Sequence, residues 1–428
     1  MQPVPCVTQT LSNGLTVAVL PLPSLRRAHL ALHLKVGSRH ENADDNGLSH
    51  FLEHMLYRGT RSLANAHEVN DAFERVGGYL YAATQADLGV LSCTAPPESM
   101  AEITRLFAEV VQAPRFTAIE VEKGIVEEEI LEDLDDEGRM VDADNLVRKL
   151  IYPEHPLGFP ITGDVEHVQG FTEAQLRAHH ARHYTAKNSV LAFAGAITPE
   201  QAFAWAERHF ATMIAGERIV PNAPVHTQEA ARFQFVENAS SQTELRVSWR
   251  AMSEAAPGRA PLEMALRVLD DGMSTRLYHR ICDEQGLCYD THAYYDGFED
   301  DGVLDFGAGV QHERTTKVTQ EILDLLRKLA DEGPTADELD KARRRTRWDA
   351  DALLDMPDEL AASYANALLF ERAPSLSERV ERELAVSADE VREVVRELIR
   401  PERLNVLAVG LLPQREQTKL AKLVSSFR

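Results

Sequence analysis

The sequence predicts two α+β domains of similar size. Strand-like and helix-like patterns alternate in both halves, but without the regular rhythm of a doubly wound sheet. Neither a Gly-x-Gly-x-x-Gly run nor a phosphate-loop lysine motif occurs. The stretch YTAKNSVLAFAGAIT, residues 184–198, resembles IRPERLNVLAVGLLP, residues 399–413. Each is an apolar strand that follows a helix with basic residues, and each is expected to close a domain. A repeat this long indicates domain duplication rather than a solenoid.

The elements follow in order. An Asn13-Gly14 turn precedes GLTVAVLPL, which reads as a strand, as does AHLALHLKVGS. ANAHEVNDAFERVG reads as a helix closed by Gly77 and Gly78. QADLGVLSCTAP is a further strand, and SMAEITRLFAEVVQAP has the 3.6-residue period and a proline stop. The acidic stretch TAIEVEKGIVEEEILEDLDDEG reads as helix to about Asp133. Long helices are expected in the second half at TTKVTQEILDLLRKLADEG and DEVREVVRELIR. AGERIVPNAPVHTQEAA, rich in proline, alanine and polar residues, reads as the linker. The expected division is therefore an N-terminal domain over 1–214, a linker over 215–231 and a C-terminal domain over 232–428.

Composition narrows the function classes. The 428 residues carry 68 acidic and 45 basic side chains, a formal net charge of −23. That balance argues against a nucleic-acid binder, which needs a basic face, and against attachment to anionic membranes. It suits a cationic peptide partner. No apolar run approaches the roughly 20 residues of a membrane helix. The cysteines Cys6, Cys93, Cys282 and Cys288 are scattered without a C-x-x-C pair, so they indicate neither a disulfide framework nor a cysteine zinc site. They read as buried apolar residues. This usage fits a reducing compartment, and the start MQPVPCVTQTLSNG lacks a leader pattern. A cytoplasmic location is expected, or a periplasmic one if a leader has been removed.

The stretch that carries chemistry is GLSHFLEHMLYRGT, residues 47–60. On a helix capped by Asn46 and ended by Gly59, His50 and His54 stand four apart on one face. Two imidazoles at this spacing can grip one zinc ion. Glu53, on the same side, can take a proton from a metal-activated water and return it to a leaving amine. His-x-x-Glu-His is the inverted order of a zinc-peptidase motif. A catalytic zinc needs a third ligand and an open position. Glu122 and Glu129 are seven apart on the acidic helix and share a face, so one could reach the metal and the other orient a histidine. The blander alternative for both stretches is a solvated helix face. His179 and His183 in RAHHARHY are also four apart but lack an intervening glutamate.

LSNGLTVAVLP, VGSRHENADDNGLSHFLEHMLYRGT, VGGYLYAATQAD and EKGIVEEEI together resemble the inverted-motif zinc peptidases, the family of pitrilysin, insulysin and the mitochondrial processing peptidase. The resemblance is strongest over the N-terminal half. It implies a mixed, largely antiparallel sheet packed against helices in each domain. It also implies two chains joined in a clam-like chamber that admits peptides or unfolded segments. His50, His54 and Glu129 would hold one zinc per chain, Glu53 would be the general base, and Glu122 would be an additional catalytic-site glutamate. The segment of Tyr81, Ala82, Ala83 and Thr84 would be an edge strand that pairs with the substrate backbone. Tyr289 would reach the substrate from the C-terminal domain.

Two positions depart from the family pattern. Tyr81 stands where asparagine is usual, which affects a side-chain contact but not backbone pairing. Cys282 stands where an arginine seven residues before Tyr289 is usual, and Arg280 would point elsewhere on a helix. Losing that arginine removes a donor to the developing oxyanion. The expected assembly is therefore a heterodimer in which a homologous subunit supplies the arginine–tyrosine pair, with a homodimer as the alternative. The alternative function is a non-catalytic, core-type structural or peptide-binding subunit.

Overall fold

The computed structural model describes residues 5–371 and 375–428. The chain forms two α+β units, each built on its own sheet. The first sheet contains β1 (Val7–Thr10), β2 (Thr16–Pro21), β3 (Ala28–Leu34), β4 (Leu80–Thr84), β5 (Gly89–Ala95) and β6 (Ser189–Gly195). Their spatial order is β1-β2-β6-β3-β5-β4. Only β2 and β6 run parallel; the other pairs are antiparallel. The second sheet contains β7 (Arg232–Glu237), β8 (Thr243–Ala251), β9 (Cys288–Gly297), β10 (Gly302–Val310) and β11 (Leu404–Gly410), in the order β7-β11-β8-β10-β9. Here only β7 and β11 are parallel.

Strand for strand, β2-β6-β3-β5-β4 has the connectivity of β7-β11-β8-β10-β9. The duplication seen in the sequence is thus a duplicated sheet topology. The two stretches that resemble one another are β6 and β11, which hold equivalent central places. β4 and β9 are the equivalent terminal strands.

The first five helices are α1 (Leu48–Leu56), α2 (Ala66–Glu74), α3 (Met100–Gln112), α4 (Ile119–Glu132) and α5 (Ala143–Ile151). α3 buries Ile103, Leu106, Phe107, Val110 and Val111 along one stripe, as its period predicts. α2 starts on the Asn65 side chain, which accepts from Glu68 N–H at 3.1 Å.

The units are not continuous in sequence. Residues 133–158 pack in the second unit, and residues 349–378 pack in the first. The remaining change of unit falls at 222/223, inside the 215–231 stretch, which has no regular structure. This exchange differs from a simple division into 1–214 and 232–428, and polar pairs mark both exchanged helices. α5 lies on β8 and β11, while the helix Pro357–Leu369 lies on β3 and β6. Arg246 on β8 meets Asp144 of α5 at 2.7 Å. His33 on β3 meets Asn366 at 2.8 Å. A covered sheet face that bears charges and imidazoles must find specific polar partners. Hydrophobic periodicity therefore carries no sign of which helix covers which sheet.

Among the described residues, no helix is long and apolar enough to cross a membrane. The expectation that all four cysteines are buried is corrected: Cys93 is buried, whereas Cys6, Cys282 and Cys288 are only partly so. Cys6 precedes β1, Cys282 lies on a π-helical turn and Cys288 opens β9.

Candidate metal centre

α1 carries His50, Glu53 and His54, and its start corrects one expectation. Asn46 does not cap the helix. Gly47 occupies the cap position with φ of 95° and no side-chain cap. A Cβ there would meet Thr162 O at 2.6 Å and Gly163 Cα at 2.8 Å, so only glycine fits. The buried Glu41 takes over the capping role. Its carboxylate accepts from Gly47 N–H at 2.8 Å and Ser49 N–H at 2.6 Å. Asn46 Nδ2 donates to the same carboxylate at 3.0 Å. A carboxylate here satisfies orphan helix donors and meets the positive end of the helix dipole. Ser49 Oγ lies 3.0 Å from His179 Nε2, so the second histidine cluster supports α1 from outside the metal-binding group.

The His50 and His54 rings lie 4.7 Å apart on one face of α1. α4 brings Glu129 to both. Glu129 Oε1 is 3.4 Å from His50 Nε2, and Oε2 is 3.4 Å from His54 Nε2. Among the described residues, this is the one group of three metal-ligating side chains whose ligand atoms lie within 4.8 Å of one another. The spacing suits a cation. Tetrahedral ligands at about 2.1 Å from zinc stand roughly 3.4 Å from each other. Two imidazoles and one carboxylate also leave the fourth position open, as catalytic zinc requires.

Glu122 supports this group from behind. His54 Nδ1 lies 2.8 Å from Glu122 Oε1, and Arg58 Nε donates to Glu122 Oε2. With Nδ1 as the donor, His54 presents the Nε2 lone pair on the Glu129 side. Burial opposes charge on His54, but the Glu122 and Glu129 carboxylates outweigh it and raise its pKa to about 9. Burial also opposes ionisation of Glu122, and His54 and Arg58 outweigh it, lowering its pKa. Hydrogen bonds from His50 and His54 hold Glu129 well below the usual carboxylate range. The pocket thus keeps two carboxylates ionised around the imidazole pair, an electrostatic environment for a divalent cation. Glu122→Gln should weaken zinc binding by about 10–100-fold, the usual cost of losing such a partner. Competition with a chelator of known affinity would measure it, and unchanged affinity would place the role of Glu122 elsewhere.

Glu53 faces the sheet. Its Oε2 accepts from Thr84 Oγ1 at 2.7 Å, at the end of β4. Tyr57 Oη donates to Leu80 O at 3.3 Å, at the other end. α1 is therefore stitched along the terminal strand. Tyr81 is 53% exposed, and Ala82 and Ala83 are partly buried beside it. Tyr289 stands on β9 of the second unit and is 89% exposed. The sequence places Thr84 in the edge segment without a role of its own and assigns none to Tyr57 or Arg58. Their signal is sequence spacing: Tyr57, the C-cap of α1, lies four residues after Glu53, and Arg58, just past the helix end, four after His54.

Sequence comparison bears on what this group belongs to. The profile described as Insulinase (Peptidase family M16) matches residues 16–164, and that described as Peptidase M16 inactive domain matches residues 170–346. A protein named uncharacterized zinc protease from Mycobacterium leprae is 30% identical over 332 residues, 76% of this chain and 74% of that protein. A protein of the same description, YmxG from Bacillus subtilis, is 26% identical over 396 residues, 91% and 94% of the two chains. Among solved structures, a protease from Helicobacter pylori has a TM-score of 0.88 at 21% identity, covering 95% of this chain and 100% of that one. A peptidase M16 inactive domain from Pseudomonas fluorescens has 0.87 at 21%, covering 95% and 98%. The structural likenesses speak to fold, the sequence matches to kinship, and the His50–His54–Glu129 group lies within the first matched region. The chain belongs to peptidase family M16, the insulinase family of zinc peptidases.

Proposed function

We propose that this chain is an endopeptidase that cleaves extended peptides or unfolded segments, with His50, His54 and Glu129 holding one zinc ion. The observation that carries this reading is the convergence of those three side chains beside Glu53 and a terminal strand. When bound, zinc supplies Lewis acidity, polarising a carbonyl oxygen and making water more acidic. Glu53 accepts the proton of the attacking water and passes it to the departing amine. Glu122 orients His54 and acts as a positioning residue rather than a group that touches substrate.

β4 supplies the binding edge. Gln85 N–H donates to Leu88 O at 2.8 Å across the hairpin. The alternation of an antiparallel ladder then turns the backbone groups of Leu80, Ala82 and Thr84 away from β5. Tyr57 Oη lies on this edge, against Leu80 O and the Ala82 backbone, so a peptide added as a strand would displace it to pair with these groups, and its side chains would meet Tyr81, Ala82 and Ala83. The net charge of −23 favours cationic peptides.

The assembly is part of the proposal. Arg280 is turned to Glu321 at 2.8 Å and Glu284 at 2.9 Å, which supports the view that it does not replace the arginine missing at Cys282. We propose a heterodimer with a homologous subunit that carries an arginine–tyrosine pair. The test is hydrolysis of a quenched basic peptide long enough to pair as a strand, by the zinc-loaded chain alone and co-expressed with such a subunit. Strong, chelator-sensitive turnover only in the mixture is expected. Equal turnover by the chain alone would favour a homodimer in which Tyr289 suffices. Zinc binding without turnover in either preparation would favour the peptide-binding or structural alternative, which the inactive-domain match over residues 170–346 keeps in view.

A further inference from the structure

Cys282 and Cys288 meet side by side, with sulfurs 3.6 Å apart. Cys282 lies on a π-helical turn, Tyr278–Asp283, and Cys288 opens β9. The connection between them folds back tightly: Gly286 N–H donates to Cys282 O at 3.0 Å, and Leu287 N–H donates to Ile281 O at 3.0 Å. This reversal puts both sulfurs on one side. Asp283, Glu284 and Gly286 of this connection are exposed, and Arg314 donates to Gly286 O at 2.6 Å. Gly286 has φ of 56°, and no atom lies within 4 Å of where its Cβ would be.

Thiols at 3.6 Å are in van der Waals contact. A disulfide bond of about 2.05 Å requires a further approach of roughly 1.5 Å. Five intervening residues keep the second thiol at high effective concentration once the first has reacted. We propose that Cys282 and Cys288 are a dithiol that closes to an intramolecular disulfide by exchange with a small-molecule disulfide, pinning the π-helical turn to the first residue of β9. In the first step one cysteine loses its proton, and its sulfur attacks the reagent, expelling one thiolate. The second cysteine then loses its proton, and its sulfur attacks the mixed disulfide, expelling the other thiolate. The two protons convert the expelled thiolates to two thiols, so the protein pair loses two electrons and the reagent gains them.

The surroundings set the conditions. Burial pushes the Cys288 thiol up to about 12. Burial also raises Cys282, with Asp290, Asp270 and Asp283 adding to the effect. Thiolate is therefore scarce at neutral pH and exchange is slow. The carboxylates also disfavour an anionic partner such as glutathione disulfide, so neutral bis(2-hydroxyethyl) disulfide is the suitable probe. The bridge itself is independent of the peptidase reading. Its consequence for turnover rests on that reading in its homodimeric form, in which Tyr289, directly following Cys288, serves the site and would move with it.

The zinc-loaded full chain is incubated with the probe at mildly alkaline pH, alkylated and mapped by mass spectrometry. The segment holding both cysteines should lose two hydrogens, resist alkylation and carry no reagent adduct. Cys282→Ser should leave the adduct on Cys288, and Cys288→Ser should leave it on Cys282. Stable adducts on both residues of the unaltered chain, or alkylation as complete as at Cys6, would overturn the bridge. Where the chain turns over peptide alone, turnover should fall about tenfold on oxidation, because a 1 Å misplacement of a positioning group can cost up to ~10²-fold. A phosphine should restore it, and Cys288→Ser should not show the fall. A bridge with unchanged turnover rejects the coupling to Tyr289. A bridge in a preparation that stays inactive in both redox states even with the homologous subunit counts against the peptidase reading and leaves the bridge standing.

Discussion

Glu53→Gln is expected to reduce peptide hydrolysis by about 10²–10⁴-fold, the range for removing a general base, while zinc stays bound. The two halves of that result have separate structural causes. Glu53 lies between His50 and His54 in sequence, but its carboxylate is engaged by Thr84 Oγ1 at 2.7 Å. It does not belong to the group whose ligand atoms converge within 4.8 Å. Glutamine keeps the size and can still accept from Thr84, so α1 and the metal ligands keep their places. What it loses is basicity. Zinc content by elemental analysis and turnover of the quenched peptide would be measured on the same sample. Turnover within tenfold of the parent would remove Glu53 as the base, and loss of zinc together with turnover would make it a ligand. Thr84→Val is the informative companion. It frees the carboxylate without removing it, so a fall in kcat of roughly tenfold with little change in KM is the signature of lost positioning.

What the sequence made legible, and what it did not, follows from the range of each interaction. His50 and His54 are one helical turn apart, and Glu122 and Glu129 two turns apart, so their shared faces are local properties. The paired strands β6 and β11 were legible for the same reason, because each is a contiguous apolar run. The cap of α1 was not. Glu41 acts from six residues before Gly47, through an irregular loop, and buried carboxylates at that separation leave no periodic trace. Arg58 was hidden differently: a single basic residue on a helix looks like a solvated face until α4 packs against it and delivers Glu122. The exchange of 133–158 and 349–378 between the units was least legible. Asp144 and Asn366 look like ordinary surface residues of their own helices. Their partners, Arg246 and His33, belong to strands of the other half.

Acid is expected to loosen the first unit before the second, because the two bury opposite kinds of titratable group. In the first, burial lowers the pKa of His29, His33 and His183 to about 4 and that of His40 to about 3. Burial also takes His179 well below its ordinary value. Their surroundings give no relief on protonation. His33 Nε2 and His183 Nε2 are buried without a hydrogen-bond partner. Lys35 and Arg39 act on His40, and Arg182 on His183 and His179, against further positive charge. Asp358 near His29 and Asp45 near His183 work the other way without reversing the shifts. Each folded-state pKa lies below the ordinary value of about 6.5, so between pH 7 and 5 the unfolded chain takes up protons that the folded chain refuses. The stability is complete above pH 6.5 and is lost as pH falls towards 4. Between pH 7 and 5 the loss is on the order of 2 kcal/mol for each of His29, His33, His40 and His183, several kcal/mol together and a large share of an ordinary domain's stability. The buried Glu41, raised by desolvation, and His54, raised to about 9 by its carboxylate neighbours, oppose this with two groups. The second unit instead holds Asp270, Asp296, Asp305 and Glu383, all raised by burial, Glu383 to about 7. Folding there favours proton uptake at these four groups, against which His226, lowered by burial, is a single opposing histidine, so mild acid spares it. Hydrogen exchange of the whole chain with a chelator present, which removes metal linkage, separates the two. Protection of β3 and β5 should collapse between pH 7 and 5 while that of β8 and β10 persists. A simultaneous loss, or earlier loss in β8 and β10, would mean that the buried histidines do not govern the acid limb.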